Sequence, residues 1–215
     1  MSTVSDQRNT EAGASSSHGS LKIILGPMFS GKSTELIRHI RRYRAIGKTV
    51  LVVNHCLNQR YGSTGITTHD ARERASTPSP PKDDFATLNL TRLQSLLDDA
   101  APRAALESAD IVCIEELQFF EDAQRVVTAL VEAHHKHVVA AGLVADYRRQ
   151  PFGAVLTLLP LADEIVHLRA LCAECCDGTL GSFTKRLGAA KETTLVGTAD
   201  EYRVVCRKHY NATNR

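Results

Sequence analysis

The sequence predicts an α/β fold, a parallel sheet flanked by helices, with a small β lobe at its C-terminal end. Three observations carry this expectation. Strand-like apolar runs alternate with helix-spaced segments from residue 20 to about residue 170, as strands joined by helical crossovers do. The runs Leu51-Val52-Val53 and Val138-Val139-Ala140-Ala141 are apolar without interruption, as strands covered on both faces are. Beyond about residue 170 the chain changes to short β segments and turns built around Cys, Gly and Thr. The expected organisation is a tail over 1–19, an α/β domain over 20–170, the β lobe over 171–210 and a short tail over 211–215.

Residues 1–19 hold Ser, Thr, Gly, Ala and scattered charge; ordering them would bury little apolar surface, so a disordered tail is expected. The first strand is the apolar run 21–25. The segment that begins at Lys32 places Thr34, Glu35, Leu36, Ile37 and Ile40 at helical spacing and reads as a helix over 32–46. A strand over 49–54 follows, then a polar, Gly-containing loop over 57–66 and a turn around Pro78, Pro80 and Pro81. The remaining α/β elements are a strand 86–90, a helix 91–100, a short helix near 103–108, a strand 111–114, a helix 121–135 and a strand 137–143. No internal repeat is visible.

Composition narrows the class of protein. At 215 residues and 43% hydrophobic content the chain can bury a substantial core. No apolar run approaches the roughly 20 residues of a membrane helix, and the N-terminus lacks a signal-peptide core, so no membrane partner and a cytoplasmic setting are expected. A net charge of +2 argues against a nucleic-acid partner, and Arg38, Arg41, Arg42 and Arg44 read as a solvated helix face. Four of the six cysteines fall between 172 and 206, which in a reducing compartment points to a metal before disulfides; Cys56 and Cys113, beside strands, read as small buried residues.

Three motifs carry chemistry. Gly26-Pro27-Met28-Phe29-Ser30-Gly31-Lys32-Ser33 follows the first strand and opens the first helix, in the Gly-x-x-x-x-Gly-Lys-Ser arrangement that cradles phosphate. Its glycines let backbone N–H groups turn inward, Lys32 reaches the β/γ-phosphates, Ser33 offers a hydroxyl to Mg²⁺, and the helix N-terminus favours an anion. A nucleoside triphosphate with Mg²⁺ is the implied ligand. Ile111-Val112-Cys113-Ile114-Glu115-Glu116 ends an apolar strand in two carboxylates, one available to the metal and one as a base; capping of the next helix is the other role such a pair could have. Cys172-x-x-Cys175 and Cys206-x-x-His209 are two pairs suited to a closed, structural Zn²⁺ site of zinc-ribbon type, with Cys176 an alternative to Cys175.

Together with Glu115-Glu116-x-Gln118-Phe119-Phe120, Gly142-Leu143-x-x-Asp146-Tyr147-Arg148-x-x-Pro151-Phe152-Gly153, Thr184-Lys185-Arg186-Leu187 and Val196-Gly197-x-x-x-x-Tyr202, these motifs resemble the type II thymidine kinases in collinear order from about 20 to 210. The resemblance implies transfer of the γ-phosphoryl group of ATP to thymidine, with Glu116 as base. ATP contacts would come from Gly26 through Ser33, Thr34, Glu115 and Gln118. Met28, Phe120, Leu143, Tyr147, Phe152 and Thr184 would line the base pocket, and a lasso containing Leu195, Val196, Gly197, Thr198 and Tyr202 would cover the thymine edge. It further implies a homotetramer and feedback inhibition by dTTP. The sequence departs from the family pattern at Glu115, where Asp is usual, at Leu117, a bulkier residue beside the base that would narrow the site, and at Val144. A non-catalytic nucleotide-binding protein of the same fold is the alternative those departures leave. Asp70 also matches a family stretch, and Arg148 fits either phosphate screening or an ion pair with Asp146.

Overall fold

The computed structural model describes residues 18–57, 86–187 and 201–212. Its frame is a six-stranded, all-parallel sheet of β1 (Ser20–Leu25), β2 (Val50–His55), β3 (Ala86–Leu90), β4 (Ile111–Ile114), β5 (His137–Gly142) and β6 (Glu164–His167), in the order β3-β2-β4-β5-β1-β6. Side chains on a strand alternate between faces, and two cores result. Leu21, Ile23, Leu51, Val53, Val112, Ile114 and Val138 belong to one; Ile24, Val50, Val52, Ile111, Cys113 and Val139 belong to the other. Burying a side chain of this size stabilises the fold by about 1.5–3 kcal/mol, which is why the uninterrupted apolar runs become central strands.

The helix α1 (Lys32–Ala45) covers the second face with Leu36 and Ile40, while its arginines at 38, 41, 42 and 44 are exposed. The first face is covered by α2 (Ser95–Asp98), α3 (Ala100–Ser108), α4 (Ala123–Glu132) and α5 (Gly153–Leu156), through Leu96, Leu106, Val126, Val127, Leu130 and Val155. Beyond the sheet, β7 (Ala170–Leu171) pairs antiparallel with β8 (Leu180–Gly181), and β9 (Phe183–Arg186) with β10 (Tyr202–Val205), before α6 (Arg207–Asn211). Cys172, Val205 and Tyr210 form a small separate core there.

Three expectations are corrected. The helix expected over 91–100 is only Ser95–Asp98, because the Asp122 carboxylate accepts the N–H groups of Leu93 at 3.1 Å and Gln94 at 2.7 Å and fixes a turn instead. Asp99 is then extended and α3 starts at Ala100, with Pro102 in its first turn, where a missing N–H costs little. The helix expected over 121–135 ends at Glu132, and Cys56 is exposed rather than buried, although Cys113 is buried. The tail to residue 17, most of the 57–66 loop, Asp70 and the turn at Pro78, Pro80 and Pro81 lie outside the described residues. Among the described residues no helix is long and apolar enough to cross a membrane.

Candidate active site

The phosphate-loop motif leaves β1 and runs into α1. Gly31 is left-handed at φ 84 and no side chain caps the helix, which leaves its first N–H groups for an anion. Gly26 is demanded by a close approach: a Cβ there would stand 2.4 Å from Ser30 Oγ and 2.8 Å from the Leu168 carbonyl oxygen. Lys32 Nζ donates to the Pro27 carbonyl at 2.8 Å, across the mouth of the loop.

The two acids at the end of β4 have separate partners. Glu115 N–H donates to the Val53 carbonyl at 2.9 Å, and the Ser33 hydroxyl donates to Glu115 Oε1 at 2.5 Å. Glu115 is 5% exposed, and its Oε2 is buried with no hydrogen-bond partner among the described residues. Burial pushes its carboxyl up to about 7, with the Glu116 charge adding to the shift and the Ser33 hydroxyl and Lys32 ammonium opposing it. A hydroxyl beside an unsatisfied carboxylate oxygen suits a hard, oxygen-seeking cation, whose charge would favour the ionised acid.

After Glu115 the chain turns sharply. Glu116 is left-handed, at φ 54 and ψ 44, a conformation costing a residue with a Cβ about 1–3 kcal/mol. The turn leaves Glu116 half-buried and sends Leu117 entirely into the core, so Leu117 does not narrow the site. Gln118, expected among the ATP contacts, bridges within the protein: its Nε2 donates to Glu116 Oε2 at 2.5 Å and its Oε1 accepts the Leu143 N–H at 3.0 Å.

Of the residues expected around the base, Met28 and Thr184 meet directly, the Met28 N–H donating to Thr184 Oγ1 at 3.2 Å. Leu143, Tyr147 and Phe152 are half-buried, whereas Phe120 is completely buried. Tyr147 faces Tyr202 with ring centroids 6.4 Å apart, and the Arg186 guanidinium lies 5.3 Å and 5.6 Å from the two rings. Arg148 stacks over Tyr147 at 5.1 Å, while Asp146 Oδ1 accepts the backbone N–H groups of Arg148 and Gln150, each at 2.8 Å. Leu195, Val196, Gly197 and Thr198 lie outside the described residues.

Cys172, Cys175, Cys206 and His209 bring their donor atoms within 4.8 Å of one another. Sulfurs about 2.3 Å from one tetrahedral centre lie about 3.8 Å apart, and a sulfur and an imidazole nitrogen about 3.5 Å apart. Cys175 Sγ is 3.8 Å from Cys206 Sγ, and His209 Nδ1 is 3.6, 3.4 and 3.5 Å from Cys172, Cys175 and Cys206. The set fits zinc. Cys176 is excluded by its left-handed φ of 54, which turns its thiol out to donate to the Ala173 carbonyl at 3.2 Å.

A sequence model described as thymidine kinase matches residues 19–210. The chain belongs to the thymidine kinase family. It is 38% identical over 196 residues to the human protein named cytosolic thymidine kinase, covering 91% of this chain and 75% of that one. To a monkeypox virus thymidine kinase it is 37% identical over 192 residues, 89% of this chain and 97% of the viral one, and to chicken cytosolic thymidine kinase 36% over 192 residues, 89% and 77%.

In this thymidine kinase family member a cavity of about 480 Å³ opens beside the phosphate loop, between Pro27, Asp146, Thr184 and the cationic side chains Arg149, Arg169 and Arg207. Arg149 stacks 4.5 Å from the Tyr210 ring and Arg207 4.8 Å from Phe183, which orients both guanidinium groups. The bridging geometry of Gln118 and the anchoring of His55 at the end of β2 escaped sequence reasoning. Both depend on partners distant in the chain, and neither has a local signature.

Proposed function

We propose that the protein transfers the γ-phosphoryl group of ATP to the 5′-hydroxyl of thymidine, giving dTMP and ADP, with Glu116 as the base. The observation that carries this is the convergence of a phosphate loop with two adjacent acids held to different partners, Glu115 to Ser33 and Glu116 to Gln118. Loop N–H groups and Lys32, released from the Pro27 carbonyl, would hold the phosphate oxygens. Ser33 and Glu115 would hold Mg²⁺, which when bound supplies neutralisation of the phosphate charge. Glu116 takes the hydroxyl proton as that oxygen bonds to the γ-phosphorus and the bond to the β,γ-bridging oxygen breaks, releasing ADP. The cationic rim of the adjoining cavity favours the polyanionic donor.

The extra methylene of Glu115 still allows a 2.5 Å contact with Ser33, and Leu117 points into the core, so neither departure supports a catalytically weakened protein. Met28, Leu143, Tyr147, Phe152, Thr184 and Tyr202, with Phe120 behind them, form the thymine side in this reading. Residues 171–210 act as a zinc-held lobe. The reading extends to a cytoplasmic homotetramer inhibited by dTTP: the human and chicken relatives are named cytosolic, and Ile165, 48% exposed on the edge strand β6, offers an apolar contact.

The test is phosphoryl transfer with ATP, Mg²⁺ and a panel of nucleosides. Thymidine and deoxyuridine should far exceed purine nucleosides, whose misplaced polar groups would lose hydrogen bonds; comparable kcat/KM for deoxyguanosine contradicts the reading. A dTTP titration and sedimentation of the same sample check inhibition and assembly. In that assay Gly26→Ala should raise the KM for ATP by about 10²-fold, because the new methyl displaces the loop against backbone that cannot rotate away. An unchanged KM would mean the loop does not hold the donor.

A further inference from the structure

His55 ends β2 at the same C-terminal end of the sheet's strands as the two acids that follow β4, is 6% exposed and has no part in the chemistry above. The Leu57 N–H donates to its Nδ1 at 3.1 Å, so Nε2 carries the proton and donates to the Thr91 carbonyl at 3.2 Å. The two bonds together admit only the neutral Nε2–H tautomer. Burial pushes the imidazole below its ordinary range, against the Thr91 carbonyl and the Asp122 and Glu116 carboxylates, which act in the opposite direction. Held in this way, the ring lies edge-on to Phe120 at 4.8 Å and tilted against Phe119 at 5.6 Å. Phe119 and Phe120 close the turn that Glu116 opens.

We propose that His55 is a positioning residue for Glu116, bracing through Phe119 and Phe120 the turn that carries the base. The inference rests on the functional reading in which Glu116 is that base. A left-handed Glu persists only where its surroundings over-determine it. Gln118 ties the turn to the end of β5 through Leu143, and His55 ties its other flank to β2 and to the Thr91 carbonyl. Asp122 in turn anchors the same connection by accepting the N–H groups of Leu93 and Gln94. His55 therefore belongs to a frame on the β2 side of the turn, with its ring nitrogens committed to backbone and its ring faces and edges left to the aromatic contacts.

Two variants separate the ring from its hydrogen bonds. His55→Gln retains a donor for Thr91 and removes the ring; His55→Phe retains a ring and removes both bonds. His55→Gln should lower kcat at saturating ATP and thymidine by roughly tenfold, with both KM values within about twofold of the native enzyme. Titration calorimetry should still count one thymidine bound per chain, since the folded fraction is unchanged, and His55→Phe should recover most of the lost kcat. An active native enzyme whose His55→Gln form keeps full kcat overturns this inference alone. So does a fall in kcat matched by lost binding stoichiometry, or a His55→Phe form as slow as His55→Gln. A native protein that phosphorylates no pyrimidine nucleoside removes the functional reading, and this inference with it.

Discussion

Glu116→Gln should bind ATP and thymidine with native affinity and turn over roughly 10²–10⁴-fold more slowly, the usual worth of a general base. The substitution keeps the side-chain shape, and its amide can still meet Gln118 at the 2.5 Å contact, but it cannot take a proton. Glu115→Gln should behave differently. Its partner is the Ser33 hydroxyl, so loss of its charge should weaken the magnesium dependence of ATP use before it touches the chemical step. Steady-state kinetics with magnesium varied at saturating nucleoside distinguishes them. Near-native turnover in Glu116→Gln together with complete loss in Glu115→Gln would reverse the assignment.

Removing the proposed zinc should have an effect at least as large. Among the described residues the lobe offers two short sheets, one small helix and a core of Cys172, Val205 and Tyr210, whereas a structural zinc site is worth on the order of 10 kcal/mol. Purified protein should contain one zinc per chain by elemental analysis. Chelation, or Cys172→Ser, should lower Tm and abolish activity together, because these strands also support the site. Thr184 accepts the Met28 N–H, and the Tyr210 hydroxyl donates to the Tyr147 carbonyl at 2.8 Å. Metal-free protein with unchanged melting and turnover would reject the role.

Much of this was legible in the chain because it is local. The phosphate loop is a contiguous run, and the central strands are continuous apolar stretches whose ends fell within a residue or so of expectation. The failure over 91–100 comes from a partner that lies far away. No local pattern around 91–100 announces that Asp122 will claim the N–H groups of Leu93 and Gln94. Cys176, adjacent to Cys175, stayed an alternative ligand in the sequence; its left-handed backbone and its thiol's bond to the Ala173 carbonyl set it aside. The split between Glu115 and Glu116 was inferable from adjacency at a strand end, but the strained turn that produces it, and the Gln118 bridge to Leu143, appear only when β4 and β5 stand side by side.

The placement of β1 between β5 and β6 also governs how the molecule can be made. The Leu21 N–H bonds to Asp163 Oδ2 at 2.7 Å across 142 positions of sequence, and the Met28 N–H reaches Thr184 across 156. During synthesis the first strand therefore emerges with neither neighbour yet in existence, and its phosphate loop has nothing to rest on until most of the chain has followed. Contacts of such separation are slow to form and leave an apolar strand with both edges bare in the meantime. The nascent chain is thus exposed to misassociation until β5 at His137–Gly142 has been made, and a ribosome that stops short of the C-terminal strands releases a product with its nucleotide motif intact and no competent site.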